Sequence, residues 1–175
     1  PEIAIILGSS LGSFGDEIEN PVVIDYKDIP NFLVSTAPFH AGKLIAGTVA
    51  GKKVICMSGR FHYYEGHDQK TVTLPVRVMQ VLGVKTLILT NAAGGVNLSF
   101  DPGTLMLISD HINYSGANPL IGPNLDDFGP RFPDVSDLYC KKLRCAVKEA
   151  VEAGEISYDR YSSYLGMLDE EGKYR

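Results

Sequence analysis

Residues 54–67 read VICMSGRFHYYEGH, and the interpretation of the whole chain starts from them. The first four are apolar, which predicts a strand buried on both faces. Gly59 follows directly and predicts that the chain leaves the sheet at that point. This stretch therefore indicates a buried strand whose carboxyl end leads into a loop of charged and aromatic residues.

The loop after this strand has two kinds of side chain in alternation. If the chain stays extended, side chains two positions apart share a face. One face then presents a cation, a titratable ring and a phenol (Arg60, His62 and Tyr64), and the other presents Phe61 and Tyr63. An arginine fork matches phosphate oxygens two at a time, and tyrosine offers a flat surface with a hydroxyl. The loop predicts a site for an anion beside a hydroxylated ring, although such side chains on loops are often simply solvated.

Composition places limits on the function. The chain has 175 residues, 45% hydrophobic and 21% charged, which is typical of one globular domain spanning 1–175. A net charge of −5 argues against a broad nucleic-acid or membrane surface. The three cysteines, Cys56, Cys140 and Cys145, form no CxxC pair and indicate a reducing compartment. No basic leader or bilayer-length apolar run is present, so we expect a cytoplasmic protein.

The apolar pattern predicts an α/β fold. Continuous apolar runs predict buried strands at 3–7, 86–90 and 105–108, and the turn 50–52 predicts a hairpin between 44–49 and 53–57. Helical spacing predicts helices over 69–82 and 137–153, the second capped by Ser136. Pro75 is tolerable only near the first turn of the first helix. The alternation predicts a mixed, largely buried central sheet flanked by helices.

Two glycine-containing turns follow predicted strands. Residues 8–12 read GSSLG and residues 91–95 read NAAGG, and in both an anion could approach the backbone amides closely. Ser9 would add a hydroxyl. His40, in a loop before the hairpin, is either a second titratable donor for the same anion or an exposed loop histidine. Neither a dinucleotide-binding glycine pattern nor a Walker lysine is present.

Residues 8–12 also match G-x-S-x-G, which makes Ser10 a competing nucleophile. A nucleophile elbow follows a central strand that several others precede, and here it would follow the first strand. A serine hydrolase is therefore a minor alternative.

Six motifs occur in a defined order and together suggest a family. They are 8–12 (GSSLG), 40–42 (HAG), 59–66 (GRFHYYEG), 91–95 (NAAGG), 110–113 (DHIN) and 131–133 (RFP). With them the chain resembles the trimeric class of purine nucleoside phosphorylases, from Ile3 to about Ala153. The related methylthioadenosine phosphorylases differ around the central motif and are a second choice.

The resemblance implies a fold, a reaction and a set of site residues. It implies a nucleoside phosphorylase-like fold, a homotrimer, and phosphorolysis of purine nucleosides without a cofactor, inorganic phosphate being a co-substrate. It also implies a phosphate site made of Ser9, His40, Arg60, His62 and the Ala92 backbone. Of these residues, His62, Arg60 and His40 would be the catalytic ones. Tyr64 would lie on the ribose, and Phe132 would reach the site of a neighbouring subunit. Glu65 is a candidate for orienting His62.

The chain departs from the family pattern in several places. Ser10 and Phe39 stand where the family usually has glycine, and His67 stands where it usually has tyrosine. Residues 171–174 resemble the start of the family's next strand, and the family's purine pocket lies beyond it. We therefore expect a chain that lacks the C-terminal purine pocket and is a poor catalyst alone. A non-catalytic phosphate-binding or interaction subunit that kept this half-site is the alternative.

Overall fold

The structure is a computed structural model that describes residues 1–9, 11–33 and 42–155. These residues contain five strands, β1 (Ile3–Ile6), β2 (Glu19–Asp25), β3 (Lys43–Val49), β4 (Lys52–Ser58) and β5 (Thr86–Leu89). They also contain two α-helices, α1 (Gln69–Val81) and α2 (Lys141–Glu152). Short 3-10 helices lie at Gly12–Glu17, Tyr26–Asp28, Tyr63–Glu65 and Asp126–Phe128. No helix in the described ranges is long and apolar enough to cross a membrane.

The described residues form two compact units. The first contains Pro1–Ala93 and Ala117–Gly129, and the second contains Gly94–Gly116 and residues 130–155. All five strands and α1 belong to the first unit, whereas α2 belongs to the second. A single domain over 1–175 stays a prediction.

The strands form one mixed sheet in the order β2-β3-β4-β1-β5. β1 pairs in parallel with β4 on one side and with β5 on the other, and β3 pairs antiparallel with both β2 and β4. The predicted hairpin is confirmed: Ala50 and Gly51, with φ of 47° and 71°, connect β3 to β4. Positive φ at both turn residues is the backbone that a two-residue hairpin favours.

The core covers both faces of β1 and β4. In β1, Ala4 and Ile6 belong to one buried cluster, and Ile5 belongs to the other together with Leu7, which follows the strand. Residues of β4 alternate between the same two clusters. Burial on both faces explains why these strands are continuous apolar runs.

Three predictions of secondary structure need correction. Residues 105–108 form no strand, and Leu105 is 66% exposed. α2 begins at Lys141 rather than residue 137, with Cys140 and not Ser136 at its N-cap. Ser136 instead donates its backbone N–H and its hydroxyl to Asp134 Oδ1 in a local turn. Pro75 lies in the interior of α1 and is buried, so the helix continues past it.

The sequence analysis did not predict β2. β2 is an edge strand, and its apolar residues Val22, Val23 and Ile24 are all more than two-fifths exposed. With neither a buried face nor a period-2 pattern, and with Pro21 inside it, the segment lacks the usual strand signal.

Candidate functional site

Three parallel strands end at one edge of the sheet. β1 lies between β4 and β5, and Ile6 is in register with Met57 on one side and with Leu89 on the other. The carboxyl ends of parallel strands are where open α/β sheets bind ligands. The residues that follow these ends are Gly8 and Ser9, Gly59 and Arg60, and Thr90 to Ala92. Sequence-predicted residues from three separate motifs therefore meet at this edge.

Thr90 joins the ends of β1 and β5. Its Oγ1 accepts a hydrogen bond of 2.8 Å from the Gly8 N–H and donates one of 3.3 Å to the Ile6 carbonyl. Its backbone N–H also donates to the Ile6 carbonyl, at 3.1 Å. Sequence reasoning did not select Thr90; a polar residue ending an apolar run was the available signal.

Gly8 allows this close approach. A Cβ at position 8 would lie 2.7 Å from the Thr90 carbonyl oxygen and 2.8 Å from Asn91 Cα. Both atoms belong to backbone, which cannot move aside as a flexible side chain can. The glycine is therefore required by the contact between the two turns.

Arg60 reaches the same turns. Its Nη1 donates a hydrogen bond of 2.9 Å to the Thr90 carbonyl oxygen, and the residue is half-buried. A guanidinium has five N–H donors, of which this bond uses one. The structure therefore brings a permanent cation to the carboxyl ends of the parallel strands, where Ser9 and Ala92 are exposed.

His62 and Tyr64 also come together, though not in the way the extended-chain prediction assumed. Tyr63–Glu65 form a 3-10 helix, so the extended segment ends at His62. Phe61 is 4% exposed in the core, whereas Tyr63 is 52% exposed, so the prediction that these two share a face is wrong. The rings of His62 and Tyr64 stack with centroids 4.6 Å apart and planes 20° apart.

Glu65 holds the backbone of His62. Its Oε2 accepts a hydrogen bond of 3.0 Å from the His62 backbone N–H. The carboxylate thus fixes the turn that carries the stacked rings. In return the His62 side chain accepts a hydrogen bond from the Glu65 backbone N–H, so Glu65 contacts the histidine that it was expected to orient through both its side chain and its backbone.

Of the other predicted residues, one belongs to the second unit and three lie outside the described residues. Phe132 is 87% exposed and belongs to the second unit. His40, Phe39 and the alternative nucleophile Ser10 lie outside the described residues. Across residues 1–9, 11–33 and 42–155, no three His, Cys, Asp or Glu residues are grouped so that they could hold a metal ion.

The profile of the phosphorylase superfamily matches residues 2–167. The chain belongs to the phosphorylase superfamily. It is 62% identical over 143 residues to purine nucleoside phosphorylase 1 of Bacillus subtilis, a match that covers 82% of this chain and 53% of that protein. It is 50% identical over 147 residues to purine nucleoside phosphorylase of Bos taurus, covering 82% and 51%.

Solved phosphorylase structures share the fold. Isoform 2 of purine nucleoside phosphorylase from Schistosoma mansoni, in complex with cytosine and ribose-1-phosphate, matches with a TM-score of 0.80 and 48% identity, covering 87% of this chain and 55% of that one. The resemblance to purine nucleoside phosphorylases and the mixed α/β fold are thereby confirmed. The chain spans about half the length of the relatives it matches.

Proposed function

We propose that the residues at the carboxyl ends of β1, β4 and β5 bind inorganic phosphate and that the protein acts as a purine nucleoside phosphorylase. Its reaction is phosphorolysis of purine (2′-deoxy)ribonucleosides to the free base and (deoxy)ribose 1-phosphate. The bond between Arg60 Nη1 and the Thr90 carbonyl carries the proposal, because it holds the guanidinium at the ends of three parallel strands. Identity of 62% to a purine nucleoside phosphorylase of Bacillus subtilis supports it.

The chemistry divides between the nucleophile and the leaving group. A phosphate oxygen forms the new bond to C1′ of the sugar, and the electron pair of the C1′–N bond leaves with the purine. Cleavage of such a bond passes through an oxocarbenium-like state. An anion next to the ring stabilises that positive charge where it develops, so phosphate acts both as nucleophile and as counter-ion.

Each residue of the proposed phosphate site has a distinct role. Arg60 holds the phosphate dianion as a fork, and His62 and His40 donate hydrogen bonds to it. The Ser9 hydroxyl and the Ala92 backbone N–H complete the phosphate site. Tyr64, stacked on His62, offers a flat surface and a hydroxyl to the ribose.

The proposal extends to assembly, which the resemblance to the trimeric class implies, and to location. We propose a cytoplasmic homotrimer in which Phe132 of one subunit reaches the ribose of the next. Exposure of 87% for the Phe132 ring in the single chain is compatible with such a contact. Inorganic phosphate is a co-substrate, and the proposal requires no cofactor.

The direct test is calorimetric titration of inorganic phosphate into wild type and Arg60→Ala. A hydrogen bond to a charged group contributes about 1.5–3 kcal/mol, so we expect the Kd of phosphate to rise by about ten- to a hundredfold. Arg60→Lys keeps the charge without the fork, so its Kd for phosphate should lie between those of wild type and Arg60→Ala. Binding rather than turnover is the readout, because the chain spans about half the length of its relatives.

Arg77→Ala is the matched control. Arg77 lies on α1 in the same unit, and its guanidinium carbon is 5.8 Å from the centroid of the Phe128 ring. Its removal should leave the Kd of phosphate unchanged. An unaltered phosphate affinity in Arg60→Ala would remove Arg60 from the site.

A further inference from the structure

Tyr26 is a buried residue that contacts the segment around Arg60, although it belongs to none of the six motifs. It begins the 3-10 helix Tyr26–Asp28 that follows β2, and it is 1% exposed. Its hydroxyl donates a hydrogen bond of 2.7 Å to the carbonyl oxygen of Gly59, 33 residues away in sequence. A buried polar atom thus joins the residue that follows β2 to the loop that leaves β4.

This bond fixes the peptide group that leads into Arg60. Gly59 O and Arg60 N belong to one planar peptide, so holding the oxygen also sets the direction of the Arg60 backbone. Gly59 has a φ of 96°, which gives the chain its sharp exit from β4. Arg60 is therefore held at both ends, through Gly59 by Tyr26 and through its guanidinium by Thr90.

The ring of Tyr26 holds the residue on the other side of Arg60. Its centroid lies 5.6 Å from that of Phe61, with the planes 78° apart. Phe32 packs edge-on against both rings, at 5.5 Å from Tyr26 and 5.6 Å from Phe61. Edge-to-face aromatic pairs of this kind stabilise the folded protein by more than their buried apolar area alone would give. Tyr26 therefore contacts both sequence neighbours of Arg60, one through its hydroxyl and the other through its ring.

We propose that Tyr26 is a positioning residue of the phosphate site: it sets the Gly59–Arg60 peptide so that the arginine fork faces the anion. The identity of the anion rests on the proposed function above. Tyr26 is not a catalytic residue, because its hydroxyl is buried on the Gly59 carbonyl. Burial raises the pKa of Tyr26 well above its usual value, with a smaller contribution from Cys56, so the hydroxyl stays a protonated donor.

Tyr26→Phe tests the proposal because it removes the hydroxyl and keeps the ring. Two quantities are measured, the Kd of inorganic phosphate and the backbone ¹⁵N order parameters of residues 59–62. We expect the Kd to rise by about two- to tenfold, the range that corresponds to one neutral hydrogen bond. The order parameters of residues 59–62 should fall, because the peptide before Arg60 has lost its anchor.

Met79→Ala is the control for loss of stability alone. Met79 is 2% exposed, belongs to the same buried cluster as Tyr26 and lies on α1. It should lower the melting temperature at least as much as Tyr26→Phe while leaving both the Kd and the order parameters of residues 59–62 at wild-type values. A purely structural role for Tyr26 would instead make the two variants behave alike.

The two readouts separate this proposal from the proposed function. If wild type binds no phosphate, the proposed function fails, and the order parameters still decide the role of Tyr26. Unchanged order parameters at residues 59–62 in Tyr26→Phe would overturn the positioning role whatever the phosphate affinity. Equal changes in Met79→Ala would overturn it as well.

Discussion

Two apolar tetrapeptides of this chain have opposite environments. Residues Ile3–Ile6, with the sequence IAII, form β1, where Ala4 is 0% and Ile6 is 6% exposed. Residues 105–108, with the sequence LMLI, form no strand, and Met106 is 58% exposed. The first has hydrogen-bonded strands on both sides and a hydrophobic cluster on each face. An apolar run therefore becomes a buried strand only where neighbouring strands and packed side chains surround it.

The same contrast separates the two units. Every residue of the two buried clusters belongs to the first unit. In the second unit local turns recur, in which a serine donates both its N–H and its hydroxyl to an Asn or Asp two residues earlier, at Asn97, Asn113 and Asp134. Such turns order a loop locally without burying apolar surface. The first unit thus depends on packing, and the second depends more on short-range polar contacts.

The largest expected effect comes from truncating one methionine in each region. Met57→Ala removes a side chain that is 1% exposed in β4, and such changes cost about 2–5 kcal/mol because they leave a cavity. Met106→Ala alters an exposed side chain and should change the free energy of unfolding by less than about 0.5 kcal/mol. Urea unfolding of both variants measures the difference. Equal losses would show that residues 105–108 are as well packed as β4.

The second-largest expected effect is the difference in stability between alanine substitutions at two glycines. Gly8→Ala forces a Cβ to within 2.7 Å of the Thr90 carbonyl oxygen, and overpacking of this kind costs about 1–3 kcal/mol. At Gly94, in the second unit, an added Cβ meets nothing within 4 Å. Gly94→Ala should therefore leave the melting temperature close to that of wild type. A tolerated Gly8→Ala would mean that the β1 and β5 turns are not in close contact.

The parts of the fold that were predicted from sequence are those with strong local patterns. β1 and β4 are continuous apolar runs because both of their faces are covered, and α1 has apolar residues at helical spacing. β5 forms from the apolar run that predicted a buried strand, but Ile88 and Leu89 are 45% and 54% exposed, so the predicted burial is wrong. β2 was missed because an exposed edge strand has no such pattern. The order of the strands was also beyond a local reading, since it depends on pairings between residues some 50 to 80 positions apart.

The residues of the candidate site also differ in whether the sequence alone could identify them. Arg60 and His62 were selected because charged residues after a buried strand are conspicuous in the sequence. Thr90 and Tyr26 were not, because their importance comes from hydrogen bonds across 82 and 33 residues. A threonine ending a strand and a tyrosine in a short helix have ordinary sequence contexts. The polar residue at the end of an apolar run was a weak signal for Thr90, and the backbone group that each side chain would contact cannot be read from the local sequence.

The smallest expected effect is a pH dependence that distinguishes buried from exposed cysteines. Burial raises the pKa of the Cys56 thiol from 9.0 to about 11. The unfolded chain then loses this proton at lower pH than the folded protein, so the free energy of unfolding falls as pH rises from about 9 to about 11. Below pH 9 the contribution is fully present.

Two alanine variants isolate this effect. Cys56→Ala should lose part of the alkaline decline in stability, whereas Cys145→Ala, which changes an exposed cysteine of α2, should retain the wild-type slope. Only slopes are compared, because Cys56→Ala also loses packing at neutral pH. Urea unfolding at intervals between pH 8 and 11 provides them. Identical slopes in the two variants would mean that Cys56 titrates as an exposed thiol does, and that β4 admits water to a residue that is 0% exposed.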